Sequence, residues 1–477
     1  MTKKKEDNHE LIIIGAGPGG YRAAFMAADL GMKVTLIDRE ANPGGECLYR
    51  GCIPTKALLH AVKLKQAAIG ADSMGISFED PKVDVGTTAK WKRGVVDKLT
   101  GGLAQLVKAR KIEYLQGTAR FKDSETILFE DTGGKTSNLR FEQSIIATGA
   151  SPIKLSELDV DGKRIMGSEA ALELENVPGK LLVVGGGYIG LEMGYIFHGL
   201  GSEVSVVELT EGIMPGMDRD LVNEFNKTAK NIFKDIFLET SVKEVKKNKN
   251  SLQVMFKGKE GTFSKGYDKI LVAVGEKPDH SSLDLDKAGV ETDENNFIKV
   301  DNRQRTSVDN IFAVGDVSGG PLLAHKAMYE GKIAAEVAFG KNVINDARVI
   351  PGVVYTEPEI AFCGLTESEA EEREQSYKKV KFPWAASGRA VAMNEKLGFT
   401  KLLVNPENER ILGAGIVGKD AGDLISEIAL AIEMGATATD LALTIHPHPT
   451  LSETIMEAAE SYLGTPVHSM NKQTRDK

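Results

Sequence analysis

The chain has 477 residues, 42% of them hydrophobic and 27% charged, with a net charge of -9 at pH 7, which at about 150 residues per domain suggests roughly three domains. The acid excess leaves no basic footprint for phosphate-backbone binding, so nucleic acid is excluded as a partner. Met1–Glu10 is polar and Lys-rich without the apolar stretch of a secretory signal, and no apolar run approaches the roughly 18 residues of a membrane span, so a cytoplasmic protein is expected.

Leu11–Ile14 is an apolar run followed at once by Gly15-Ala16-Gly17-Pro18-Gly19-Gly20, an Ala-rich helical stretch to Leu30, and Gly31. Lys33–Ile37 then reads as a second strand ending in Asp38. Strand, GxGxxG, helix, strand, acid is the dinucleotide fingerprint: Gly15, Gly17 and Gly20 let a pyrophosphate approach the helix N-terminus, and Asp38 faces the ribose hydroxyls. A lone GxGxxG is weak evidence, but here it returns. Leu181–Val184, Gly185, Gly187, Gly190, Gly201 and Glu208 repeat the pattern 170 positions on. Two dinucleotide sites are expected. Leu209-Thr210-Glu211 supplies no arginine for a 2′-phosphate, so Glu208 favours NAD over NADP.

Between these repeats lies Gly44–His60, which holds two of the three cysteines, Cys47 and Cys52. Gly51 allows a sharp turn and Pro54 opens a helical run, so Cys52 sits at a helix N-terminus where the dipole favours a thiolate. Arg50 and Lys56 add positive charge nearby. The reading is a redox-active dithiol. Two alternatives stand beside it: a structural zinc site, for which Cys363 is the only other thiolate, and a structural disulfide, unusual in so cysteine-poor a chain.

Ser144–Ala150 is a buried-strand run stopping at Thr148-Gly149, and Ile270–Gly275, followed by Pro278, plays the same part in the second unit. Asn310–Val314 reads as a strand ending in Gly315-Asp316, taken alone a turn, and a helix is expected around His325–Phe339. After Pro351 the strand-like stretches are Tyr377–Phe382, Lys401–Val404 and Gly413–Val417, with a helical Gly422–Met434. Near the C-terminus, Thr450 and Glu453 fit a capping box. A His446/His448 metal pair lacks a third ligand. Alternatively, Glu453 orients His448 as a general base.

In this order the motifs resemble the flavin-dependent pyridine nucleotide disulfide oxidoreductases, and among them the dihydrolipoamide dehydrogenases. The likeness runs from Leu11 to about Gly464, carried also by Gly51–His60, Tyr355–Glu359, Phe382–Ala390 and Ala431–Gly435. It implies an α/β protein of two Rossmann-like dinucleotide-binding domains plus a C-terminal α+β dimerisation domain. The implied divisions are 1–150 (FAD-binding, with the redox disulfide), 151–278 (NAD-binding), 279–348 (completing the FAD site) and 349–477 (interface).

By matching position, FAD falls to Gly15, Gly17, Gly20, Asp38, Lys56, Ala119, Thr148, Gly149, Gly315, Asp316 and the Leu323-Ala324-His325 stretch. NAD falls to Gly185, Gly187, Gly190, Glu208, Val242 and Gly275. The likeness also implies a Lys56–Glu192 ion pair beside the flavin, and a homodimer whose His448–Glu453 pair serves the partner's Cys47–Cys52 disulfide. The implied reaction oxidises dihydrolipoamide with NAD+, and the implied partners are lipoyl domains of 2-oxo acid dehydrogenase complexes or the glycine cleavage H protein. Metal is not expected.

The chain departs from relatives at Glu46, at Tyr49-Arg50 for the usual Asn-Val, at Asp38 for glutamate, at Glu276 for arginine, and at Ala119 for a glycine in a loop touching FAD. Tyr49 and Arg50 leave a reductase of another disulfide as the alternative. A non-catalytic FAD- and NAD-binding subunit is opposed by the intact Cys47, Cys52, Lys56, Glu192, His448 and Glu453.

Overall fold

The computed structural model describes residues 7–470; the first six residues of the polar N-terminal stretch lie outside them, as do residues 471–477. The strand Asp7–Ile14 lies between Val34–Asp38 and Thr136–Ile146, parallel to both. Alternate side chains of its apolar run go to opposite faces: Leu11 and Ile13 join one apolar cluster with Phe25 and Leu36, Ile12 and Ile14 another with Phe121 and Ile127. Both faces are covered, which is why the strand reads as an unbroken apolar run. Ile311–Ala313 returns to this sheet and pairs parallel with Thr136–Ile146. Glu113–Asp123 pairs with Val34–Asp38 and passes through Thr126–Asp131 into an antiparallel meander.

The second unit has a parallel five-stranded sheet in the order Phe233–Phe237, Glu203–Val207, Lys180–Val184, Lys269–Val272, Ile165–Met166. A three-stranded antiparallel sheet, Ser241–Lys247, Leu252–Gly258 and Gly261–Tyr267, packs beside it through Phe237, Phe256 and Phe263. The chain leaves the two parallel sheets at corresponding points, and these exits pair with each other, Ala150–Pro152 antiparallel to Glu276–Pro278.

The last segment forms a five-stranded antiparallel sheet in the order Gly352–Val354, Glu359–Gly364, Ile411–Gly418, Phe399–Val404, Lys378–Pro383. Helices Ala421–Met434 and Glu453–Leu463 bury Ile425, Ile428 and Ile455 against Trp384, Phe382 and Leu402. Two strands begin earlier than expected, at Phe399 and Ile411, because their first residues pair across the ladder, Phe399 with Val417 and Ile411 with Val404; Lys401 between them is fully buried with its ammonium paired. Among the described residues, no helix is long and apolar enough to cross a membrane.

Candidate active site

Both fingerprint loops are built the same way. Gly15 and Gly185 turn out of their strands at φ +99 and +108, a region side chains other than glycine avoid. A methyl group at Gly20 would run into the Gly15 carbonyl oxygen, and one at Gly190 into that of Gly185. Gly17 and Gly187 then open the helices Pro18–Asp29 and Tyr188–Leu200 from extended backbone, without a side-chain cap. Each loop thus leaves helix N–H groups for an anionic ligand.

The strand-end acids close these loops. Asp38 Oδ2 accepts the Ala16 N–H at 2.5 Å, and Glu208 Oε2 accepts that of Gly186 at 2.7 Å. Within the chain the two acids therefore shape the loops themselves. Burial raises Asp38 above the usual carboxylate range, against the N–H groups of Glu40 and Ala16.

Around the first loop the Thr148 hydroxyl is buried without a partner among the described residues, and Gly149 and Gly315 hold φ +76 and +80. Asp316 lies in the 3-10 turn Gly315–Ser318, where burial raises its carboxyl, with Lys326 opposing. Leu323 caps and Ala324 opens the helix Ala324–Ala338, while His325 bonds the Pro351 carbonyl at 2.8 Å. An orphaned hydroxyl, a glycine cradle and a helix N-terminus in one place fit a dinucleotide such as FAD. In the second unit Gly275 holds φ +113, and Val242 lies in an antiparallel strand opposite Phe256. Ala119 corrects its expectation: it is in mid-strand, buried among Phe121, Ile127 and Phe129 and opposite Phe129, not in a loop.

Cys47 lies in the short helix Gly45–Tyr49, and Cys52 is the first residue of the helix Cys52–Gly70; both are free thiols. The pair is chemically unequal. The hydrogen bond from Cys47, with the Lys56 ammonium and against burial, brings Cys52 down to about 7. That same bond, burial and repulsion from Cys52 push Cys47 up. Lys56, one turn along the helix, has its Nζ 2.8 Å from Glu192 Oε2, and Glu192 is 2% exposed. Two further contacts come from the C-terminal segment, since the Tyr355 N–H donates to Glu192 Oε1 at 2.9 Å and Lys56 Nζ lies 4.5 Å from the centre of the Tyr355 ring.

Arg50 does not act as a free charge beside the dithiol. Its guanidinium pairs with Glu40, with Glu169 at 3.3 Å and with Glu46 at 3.7 Å. Tyr49 donates its hydroxyl to the Asn42 carbonyl at 3.0 Å. Both unusual loop residues are therefore engaged by the surrounding chain. Burial raises Glu46 to about 7, with Arg50 opposing and Glu169 and Glu276 adding to it; burial, then Asp316, also raises Glu276.

His448 Nδ1 lies 2.8 Å from Glu453 Oε1, its ring largely exposed. Glu453 Oε2 accepts the Thr450 N–H at 2.7 Å. Only this half of the expected capping box forms. The Thr450 hydroxyl turns to the Pro447 carbonyl and Ser452, and the helix starts at Glu453. His446 is taken by Glu427 at 2.8 Å. Within the described chain His448 bonds Glu453 and reaches neither cysteine, an arrangement open to a second subunit.

Sequence reasoning missed a buried pair under the first site. Glu330 Oε2 accepts the Gly315 N–H at 2.7 Å while Lys326 Nζ donates to the Gly315 carbonyl at 3.2 Å and to Glu330 at 3.1 Å. The Gly315 peptide is thus held from both ends. Their spacing of four residues on a helix was the available signal.

Residues 9–331 match the pyridine nucleotide-disulphide oxidoreductase model, and residues 350–459 match that family's dimerisation domain. The chain belongs to this family. Its members use FAD and a nicotinamide dinucleotide. The chain is 45% identical to a dihydrolipoyl dehydrogenase of Haemophilus influenzae over 99% of both chains, and 43% identical to that of Bacillus subtilis over 96% of this chain and 97% of the other. Among solved structures it resembles LpdA from Mycobacterium tuberculosis, with TM-score 0.89, 26% identity and coverage of 95% of this chain and 99% of that one. It also resembles the HOCl-induced flavoprotein disulfide reductase RclA from Escherichia coli in its Cu(II) complex, with TM-score 0.85, 27% identity and the same coverage.

Proposed function

We propose that the chain oxidises protein-bound dihydrolipoamide to lipoamide with NAD+ as acceptor, working as a homodimer. The observation that carries this reading is the unequal thiol pair, with Cys52 at a helix N-terminus held near neutral ionisation by Cys47 and Lys56. The names of the full-length relatives support the substrate.

In the oxidised enzyme Cys47 and Cys52 form a disulfide. His448 of the partner subunit, its Nδ1 engaged by Glu453, takes the proton of a dihydrolipoamide thiol at Nε2. The substrate thiolate attacks Cys47 Sγ, the Cys47–Cys52 bond breaks, and Cys52 leaves as a thiolate stabilised by Lys56 and the helix N-terminus. The second substrate thiol, deprotonated in turn, attacks its own sulfur in the mixed disulfide; lipoamide leaves and Cys47 departs as a thiolate that takes up a proton. Bound FAD, held by the first fingerprint with Asp38, Thr148, Gly315 and Asp316, supplies the hydride chemistry that carries the dithiol's two electrons to NAD+. Glu208 and the second fingerprint select NAD+ through the 2′-hydroxyl.

Residues 1–150, 151–278, 279–348 and 349–477 serve as the FAD, NAD, central and interface parts. Lipoyl domains of 2-oxo acid dehydrogenase complexes or the glycine cleavage H protein deliver the substrate. A cycling dithiol in a cysteine-poor chain suits the reducing cytoplasm.

The test is anaerobic turnover of purified holoenzyme with NAD+ and dihydrolipoamide, beside NADH or NADPH with glutathione disulfide. Lipoamide turnover that prefers NAD is expected. Flavin reduction by NADH with lipoamide inert would point to another disulfide substrate.

A further inference from the structure

The helix that begins with Cys52 is fastened to the C-terminal segment at two points two turns apart. Near its start the Lys56 ammonium lies 4.5 Å from the centre of the Tyr355 ring, and farther along Lys63 Nζ lies 2.8 Å from Glu359 Oε1. Glu359 is anchored in turn by the Gly422 N–H at 3.1 Å. The Tyr355 N–H also reaches the far oxygen of the carboxylate that pairs with Lys56. Lys56 therefore has an acid on one side and an aromatic face on another. Glu192 holds the ammonium through one carboxylate oxygen, and the ring bounds it on another face.

From this geometry we infer that Tyr355 is a positioning residue: its ring holds the Lys56 ammonium where it stabilises the Cys52 thiolate, and so links the dimerisation segment to the redox centre. The inference rests on the proposed role of Cys52. The other groups facing Cys52 are Cys47 from the preceding helix, Glu192 and Tyr188 from Tyr188–Leu200, and Tyr21 from Pro18–Asp29. Of these, Glu192 also holds Lys56, from one side of its ammonium. The bond from residue 355 to Glu192 is made by the backbone and survives side-chain substitution, so a variant here reads the ring alone.

The test follows the ultraviolet absorbance of the Cys52 thiolate against pH in Cys47→Ser holoenzyme, with the Cys47→Ser/Cys52→Ser protein as blank. Adding Tyr355→Leu, or Tyr355→Met where the leucine variant does not fold, should move the midpoint upward by about half a pH unit, as the ammonium gains freedom. Tyr355→Phe keeps the ring and should leave the midpoint in place. An unmoved midpoint in the folded Leu or Met variant would overturn the inference while leaving the function intact. A midpoint at the ordinary thiol value in Cys47→Ser itself would overturn the role of Cys52, and the inference with it.

Discussion

Glu453 Oε1 lies 2.8 Å from His448 Nδ1, while its second oxygen accepts the Thr450 N–H at 2.7 Å. Against burial, that N–H and the His448 ring hold Glu453 below the usual carboxylate range, so it carries its charge at neutral pH. Glu453→Gln keeps an acceptor but removes the charge. Dithiol oxidation should fall by about ten-fold or more with FAD content and dimer mass unchanged, as steady-state assays would read.

Lys326 and Glu330 are both 7% exposed at the side chain and hold the Gly315 peptide. Lys326→Met leaves the Glu330 charge buried with one partner fewer. The apoprotein should lose about 3 kcal/mol of stability and FAD should be released more readily, measured by chemical denaturation and by flavin fluorescence after dilution.

Lys401 is 0% exposed, with its ammonium 2.6, 2.8 and 2.9 Å from Asp218, Asp220 and Glu367. Among the described residues this is the acid cluster that could hold a metal, and the lysine fills it. Against burial, Lys381 and Lys401 lower Asp220 below its unfolded value. Its contribution is therefore present above the unfolded carboxylate pKa and lost as pH falls through the lower folded value. Lys401→Met should cost about 3 kcal/mol or more near neutrality, and that loss should shrink as pH falls through the carboxylate range, measured by chemical denaturation at several pH values.

Glu276 is raised by burial and by Asp316, and it adds to the raising of Glu46. Two departures from relatives thus meet as neighbouring acids. Glu276→Arg should tighten NAD+ binding by about three-fold or more, measured by fluorescence titration and shrinking with added salt.

The two fingerprints were legible because their causes are local: a glycine at positive φ, a helix with no room for a Cβ, and an acid that closes the loop twenty residues on. The Cys52 helix N-terminus was legible through Gly51 and Pro54 for the same reason. The acids that pair with Arg50 were not legible, because Glu40 lies ten positions away and Glu169 in another unit. Tyr355 and Lys401 act through long-range packing that no spacing announces, whereas Lys326 and Glu330 carried a helical spacing that went unread. Ala119 shows the other limit, since a likeness placed it in a loop where the chain builds the strand Glu113–Asp123.

The most direct measurement is cysteine mapping of the holoenzyme before and after anaerobic mixing with dihydrolipoamide in the absence of NAD+. Each sample is quenched in acid denaturant, alkylated and digested, with Cys363, a buried free thiol outside the relay, as internal standard. The account predicts Cys47 and Cys52 protected before mixing and both alkylated after it. Lipoamide forming while both stay protected would contradict the relay, as would full alkylation of both in the enzyme before substrate is added.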